Sequence, residues 1–382
     1  MTAVALRAAV AQTVWLTPRM RVLCGRAFRL SLMRSGLERF APTLGYLVHA
    51  REQLPFQWLS RISPDLPGSY DVVVRPSWRG GSSPSMLQCV SRRRDRPSLV
   101  VKVAHLEGAA DAVRREHENL EQLGASATGA GARVARVIAA ASVGGLRVHV
   151  QTALDGVPAA FALRHSPDRI VPVIDLLGTW LHRWNGLTAV IKKVTEEHVA
   201  RWLWSPLERL RADVDPLGSY QLRLEGLIAT ISGTRLPVVA AHSDLTMTNV
   251  LLLDRSRRLG IVDWEVAETE ALPLTDFFYA VTDAIVAAHA MSRQDAFRAG
   301  FARTGRYRRL TGRWLVRLAT GLNLPGSAVE LALHGCWLHH ARNEAAKRTA
   351  TERRPYVDLL CWLAGNPDAV PLPGVEGGVN EA

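Results

Sequence analysis
The chain predicts a mixed α+β fold in which a small antiparallel sheet with one helix precedes a larger, mainly helical part. Three observations carry that prediction. Short Val- and Leu-rich runs, separated by turn-forming residues, fill residues 70 to 154. Apolar residues at helical spacing dominate from Ile170 onward. A strand-rich stretch, "AAHSDLTMTNVLLLDRSRRLGIVDWE" (Ala240 to Glu265), interrupts the helical part and places His242, Asp244, Asn249, Asp263 and Glu265 among apolar segments.

The elements follow in order. Residues 1–66 form a basic helical extension, with six arginines before the first acidic residue, Glu38. Met20, Leu23, Ala27, Leu30, Met33 and Leu37 recur every three or four positions and give it an apolar stripe. Packing on the main body is the expected use of that stripe; weak contact with a membrane surface is the alternative. "ISPDLPGSYD" marks a boundary. "YDVVVRPSW", "SMLQCVS" and "SLVVKVAHL" then read as an antiparallel meander, "GAADAVRREHENLEQLGA" as a helix ending at glycine, and "ARVARVIAAA" and "LRVHVQTAL" as two more strands. These make a first domain over 67–154. The helical domain spans 155–366, and 367–382, with several Pro and Gly, reads as a loose tail.

Composition narrows the function classes. The 382 residues are 48% hydrophobic, and no apolar run approaches the roughly 18 to 20 residues needed to cross a bilayer. The apolar N-terminus "MTAVALRAAVAQTVWL" is interrupted by Arg7, Gln12 and Thr13 and lacks a small-residue cleavage site, so a cytoplasmic protein is expected. Four dispersed cysteines without a CxxC pair fit a reducing compartment. A net charge of +12 invites an anionic partner, but it is scattered and no recognition motif accompanies it, so nucleic acid is not the expected one.

The central stretch has its own chemistry. Burying carboxylates demands hydrogen bonds, a cation or a reacting group. "VLLL", the turn "DRSRR" and "LGIVDWE" form a hairpin that returns Asp263 beside Asn249. An amide oxygen and a carboxylate at its mouth suit Mg²⁺, which prefers oxygen donors and keeps positions for water and phosphate. Asp244, five residues before Asn249, would sit at the rim and meet a substrate hydroxyl.

His242-Ser243-Asp244 followed by Asn249 has the H-x-D-x-x-x-x-N spacing of a kinase catalytic loop, with Asp263 in the place of the second metal-binding residue. Together with "IVDWE", the pattern resembles the aminoglycoside phosphotransferase and choline kinase-like family. The resemblance implies a bilobal protein kinase-like fold and an ATP- or GTP-dependent kinase in which Asp244 is the catalytic base and Asn249 and Asp263 bind Mg²⁺. It implies a nucleotide-pairing lysine, here Lys102 in "LVVKVA", and a helical glutamate that orients it, Glu116, with Glu118 as the fallback. Gly80, Gly81, Ser82 and Ser83 in "RGGSSPS" take the place of the phosphate-covering loop, although G-x-G-x-x-G is absent. Gln151, Thr152, Ala153 and Leu154 take that of the linker against the base, with backbone contacts expected from Gln151 and Ala153. Asp276 in "LPLTDFFYA" matches a structural aspartate that braces the catalytic loop. Ser243 departs from the glycine common at its position, and His242 is expected to anchor the loop.

The acceptor is a hydroxylated small molecule, constrained only by charge. From Val281 onward thirteen Arg and Lys face nine Asp and Glu, which argues against a polycation and for a neutral or anionic metabolite such as a sugar, nucleoside or glycosylated natural product. Trp314, Trp337 and Trp362 could stack on a sugar or fill a core. Glu265 could meet metal or a basic side chain. "HGCWLHH" offers Cys336 and His340 four residues apart, but without a second ligand cluster zinc is not expected. Two other classes stay open: a nucleotide-binding scaffold without turnover, and a basic protein that binds RNA or membrane surfaces.

Overall fold
The computed structural model describes residues 70–75, 84–91, 97–104, 107–143, 146–214, 218–254, 257–346 and 354–374. The expected basic helix in 1–66 and the glycine-serine loop Gly80, Gly81, Ser82 and Ser83 lie outside these residues. The chain divides into two compact units. One runs to Gly124 and adds Val134–Gly156 and Val262–Val266; the other comprises Ala125–Arg133, Val157–Ile261 and residues from Ala267 onward.

In the first unit, β1 (Tyr70–Arg75), β2 (Ser85–Ser91) and β3 (Pro97–Ala104) form the expected meander. β4 (Val137–Val143) and β5 (Leu146–Thr152) complete a five-stranded sheet ordered β1-β2-β3-β5-β4. β3 is therefore paired on both sides, with Lys102 opposite Met86 and His149. Central pairing explains why Lys102 is buried, whereas an edge lysine would reach solvent.

Helix α1 (Glu107–Gly129) follows β3. It continues past Gly124, where the sequence suggested its end. Interior glycine costs only about 1 kcal/mol relative to alanine, and the buried stripe carries on from Leu120 and Leu123 to Ala127. The stop comes at Gly131, with φ +102°: the N–H of Gly131 donates to Thr128 O and that of Ala132 to Ala127 O, which caps the last carbonyls.

The second unit contains α2 (Ala159–His165), α3 (Ile170–Thr188), β6 (Val190–Lys193) and α4 (Glu196–Val199). A π-helical turn, Ala200–Trp204, leads into α5 (Ser205–Val214), and α6 (Ser219–Ile231) follows. Four strands come next: β7 (Arg235–Ala241), β8 (Val250–Leu253), β9 (Arg258–Ile261) and β10 (Glu268–Ala271). β7 lies between β10 and β6 in a three-stranded sheet, while β8 and β9 form the expected hairpin, open at Val250 and Ile261.

Five helices close the unit: α7 (Thr275–His289), α8 (Arg293–Phe301), α9 (Arg308–Gly321), α10 (Gly326–Ala345) and α11 (Pro355–Gly365). α7 is apolar on nearly every side, with Phe277, Phe278, Val281, Ala284 and Ile285 buried, and it packs against α2, α3, α8 and α10. A helix so composed belongs at the centre of a bundle. No described helix is long and apolar enough to cross a membrane.

Two tryptophans proposed for sugar stacking are core residues. Trp337 is fully buried, and Trp314 is buried with its Nε1 donating to Asp175 Oδ1 at 2.7 Å. Trp362 is half-buried under the Arg298 guanidinium. The start of the expected loose tail is packed as well: Val370 and Leu372 are buried, and Arg303 N donates to Ala369 O. Two apolar side chains in an otherwise Pro- and Gly-rich segment suffice to dock it.

α3 and α9 approach so closely that a Cβ on Gly178 would clash with the Trp314 ring. Overpacking of this kind costs about 1–3 kcal/mol. Gly178→Ala should therefore lower stability by that amount, read as a reduced thermal midpoint, whereas Gly226→Ala, with open space around it, should not.

Candidate active site
The first unit brings three predicted residues together. Lys102 Nζ lies 2.6 Å from Glu116 Oε2 and 2.7 Å from Asp263 Oδ1. Glu116, not Glu118, is the partner; Glu118 points outward and pairs with Arg114 at 2.9 Å. Burial alone would lower the Lys102 pKa, but the two carboxylates raise it, so the ammonium stays charged. α1 supplies more of this framework than its glutamate. Asn119, one turn after Glu116, donates to Trp264 O at 2.7 Å, and Arg115 Nε donates to Glu265 O at 3.2 Å. The Asp263-Trp264-Glu265 segment is thus held by successive residues of one helix face, with Trp264 buried and Asp263 at φ +70°.

Glu265 forms no ion pair among the described residues, and its carboxyl is pushed up to about 7 by burial and by the neighbouring Asp263. Gln151 is buried beside Glu116 and steadies its carboxylate. Its backbone is paired with both β3 and β4, and Ala153 N donates to Ser98 O at 2.9 Å.

The second unit assembles the loop. β7 is fixed by α3, whose Trp184 Nε1 donates to Ala240 O (2.7 Å) and whose Thr188 Oγ1 accepts from Ala240 N (3.2 Å). One residue beyond β7 the Asp276 carboxylate takes over, accepting from His242 N at 2.7 Å and Ser243 N at 2.9 Å. Asp276 is the brace that the sequence pattern predicted, and His242 is a fully buried anchor. Ser243 has φ 61°, a left-handed conformation that glycine adopts without a Cβ penalty. The two bonds to Asp276 hold serine there.

Asn249 Nδ2 donates to Asp244 O at 2.9 Å and to Asp244 Oδ2 at 3.0 Å. With its N–H donors turned to Asp244, the amide oxygen is the group that can face a cation. An amide oxygen on Asn249 and a carboxylate on Asp263 have the hard-oxygen chemistry that Mg²⁺ requires.

Three contributors escape a reading of the sequence. Tyr279 Oη donates to Asp244 Oδ1 at 3.2 Å. Because that bond uses the Tyr279 proton, Tyr356 must donate to Tyr279 Oη, 2.9 Å away. Asp283 Oδ2 accepts from Met247 N at 2.7 Å, while its Oδ1 receives Arg293 Nη1 at 3.0 Å. A signal was present: Asp276, Tyr279 and Asp283 fall at i, i+3 and i+7 on a mostly apolar helix, which puts these polar groups on one face.

The segment considered for zinc is used differently. Cys336 Sγ approaches the Thr275 carbonyl at 3.4 Å, and His340 stacks on Tyr279 with ring centroids 3.6 Å apart.

Comparison with known proteins agrees with this geometry. The phosphotransferase enzyme family, APH, matches residues 78–314. The chain belongs to that family. It is accordingly a phosphotransferase acting on alcohol groups, with a protein kinase-like fold. Among solved structures, the GDP complex of wild-type aminoglycoside 2'-phosphotransferase-IIIa is 15% identical, with a TM-score of 0.51 over 86% of this chain and 100% of that one. A thermostable mutant of aminoglycoside phosphotransferase APH(4)-Ia, in ternary complex with AMP-PNP and hygromycin B, is also 15% identical, with a TM-score of 0.50 over 82% of this chain and 96% of that one. No curated protein matches the sequence.

Burial raises the Asp276 carboxyl to about 6, against the pull of the two N–H donors. The unfolded chain ionises this group near pH 3.8, so between there and pH 6 the folded state binds more protons. Asp276 therefore contributes a stability that declines as pH rises through that window, by about 3 kcal/mol. Asp276→Asn, which offers one acceptor to two N–H groups, should be less stable than wild type throughout. Its deficit in urea denaturation should be larger at pH 5 than at pH 7.5.

Proposed function
We propose that this chain transfers the γ-phosphoryl group of ATP or GTP to a hydroxyl of a neutral or anionic metabolite, such as a sugar, nucleoside or glycosylated natural product. The observation that carries the reading is the state of Asp244. One carboxylate oxygen accepts from the Asn249 amide and the other from the Tyr279 hydroxyl, on a loop whose backbone is held by Asp276 and Asp283. A carboxylate restrained in this way suits a base that orients an attacking hydroxyl and takes its proton. Phosphoryl transfer needs in-line positioning and charge stabilisation more than covalent help from the protein.

Lys102, kept charged by Glu116 and Asp263, would offset nucleotide phosphate charge. Asn249 and Asp263 would hold Mg²⁺, which supplies neutralisation of the phosphate oxygens when bound. Gly80, Gly81, Ser82 and Ser83 would cover the phosphates through backbone N–H groups. Since Ala153 N–H is engaged within the sheet, base contacts would come from the Ala153 carbonyl and the Leu154 N–H. Such contacts do not by themselves select adenine. The GDP and AMP-PNP of the two related structures support either nucleotide. A reducing, cytoplasmic setting belongs to the same reading, supported by free thiols at Cys89, Cys336 and Cys361.

The test is a metabolite panel incubated with the full chain, Mg²⁺ and ATP or GTP, read by mass for an added phosphoryl group. A hydroxylated acceptor should gain one. If no acceptor, water included, draws phosphate from either nucleotide, the scaffold reading replaces this one. Asp244→Asn should still bind nucleotide, measured by calorimetry, while transfer falls by about 10² to 10⁴-fold.

A further inference from the structure
The second unit contains a cavity of about 240 Å³ whose walls are the π-helical turn, β10, the start of α7 and the middle of α10. It reaches the reacting loop by two routes. Ser243, on its lining, immediately precedes Asp244. His340, also on its lining, stacks on the ring of Tyr279, whose hydroxyl meets Asp244. A molecule in this cavity would touch the residue before Asp244 and the ring stacked on Tyr279.

The charged groups of the lining point to its chemistry. Arg201 and Arg342 are the cations. Arg342 donates from Nε and Nη2 to the Asn343 side-chain oxygen at 3.2 and 3.0 Å, and Arg201 Nη2 donates to the backbone carbonyl of Glu270. These partners are neutral. Burial and the nearby Arg209 lower the Arg342 pKa, and Glu268 offsets them only in part. Of the two carboxylates on the lining, Asp276 is committed to the backbone of His242 and Ser243. Glu268 is the other; burial raises its pKa, while Arg201 and Arg342 draw it back. Burial also holds His339 down to about 4, so it is neutral at neutral pH. The π-helical turn, a departure from regular helix often found at functional sites, carries Arg201 and Trp202.

We infer that this cavity is the acceptor pocket and that Arg201 and Arg342 select an acceptor carrying an anionic group, a carboxylate or a phosphate, in addition to its reacting hydroxyl. Guanidinium forks match both anions in two-point contact. A polycation would meet two arginines and one carboxylate, Glu268, on which both arginines already act. The volume, below the roughly 300–1,000 Å³ of pockets for drug-sized ligands, suits a compact hydroxylated acid. The inference rests on the phosphotransferase reading and names the class of its substrate.

Calorimetry on the full chain saturated with AMP-PNP and Mg²⁺ tests it, with glucose, glucuronate, glucose 6-phosphate and kanamycin as probes. At least one acidic sugar should bind more tightly than glucose or kanamycin, and the comparison of glucuronate with glucose 6-phosphate separates carboxylate from phosphate. Arg201→Gln and Arg342→Gln should each weaken that binding about 10- to 100-fold, and Arg342→Lys should be intermediate. Arg201 is exposed, so its substitution keeps the test valid if Arg342 variants do not fold. Glucose or kanamycin binding as tightly as the acids, acids that do not bind, or variants that bind acids like wild type would each overturn the inference. Failure of AMP-PNP itself to bind would instead remove the phosphotransferase reading beneath it.

Discussion
The loop that carries Asp244 is held chiefly by carboxylates from one helix. α7 is buried among four other helices, and two of its few polar side chains, Asp276 and Asp283, accept backbone N–H groups from His242, Ser243 and Met247. Burying an acidic side chain is costly unless its oxygens are satisfied, and unpaired loop amides are costly for the same reason. Each requirement meets the other here. The helix cannot shift without exposing the loop's donors, and the loop cannot change without stranding the helix's acceptors. Ser243 keeps a left-handed conformation, and Asp244 keeps its carboxylate between Asn249 and Tyr279, as consequences of that exchange.

The first unit solves a related problem with opposite charge. Lys102 sits on a central strand, where its ammonium would be intolerable alone. Glu116 from α1 and Asp263 from the chain segment after β9 compensate it. The same helix binds the backbone of Trp264 and Glu265 through Asn119 and Arg115. Position and protonation are thus coupled: the residues that keep Lys102 charged also fix the segment that carries Asp263.

Acceptor chemistry depends on a different level of organisation. The proposed reacting groups lie on a framework set by backbone hydrogen bonding. The cavity beside the loop is lined by side chains from a π-helical turn, a short strand, the start of α7 and α10. Of these, Arg201 and Arg342 make no hydrogen bond to the brace or the loop among the described residues. Under the proposed reading, this separation would let the acceptor cavity carry arginines while the hydrogen bonds that hold the loop are kept.

The sequence alone determined the alternation of strands and helices, the meander and the β8–β9 hairpin, and it singled out Lys102, Asp244, Asn249, Asp263 and Asp276 as candidates. These are written in local periodicity and in one tightly spaced motif. It left α1 too short, because interior glycine and terminal glycine look alike until the buried stripe is known. It could not choose between Glu116 and Glu118, since the choice depends on the rotation of α1 against β3. Tyr279, Tyr356 and Asp283 were not recognised because their partners lie 35, 77 and 36 residues away. Trp314 and Trp337 could have lined a site or a core, and only packing placed them in the core. Which arginines face the cavity is likewise a tertiary fact: composition records a basic excess, but direction and burial decide which charges a ligand would meet.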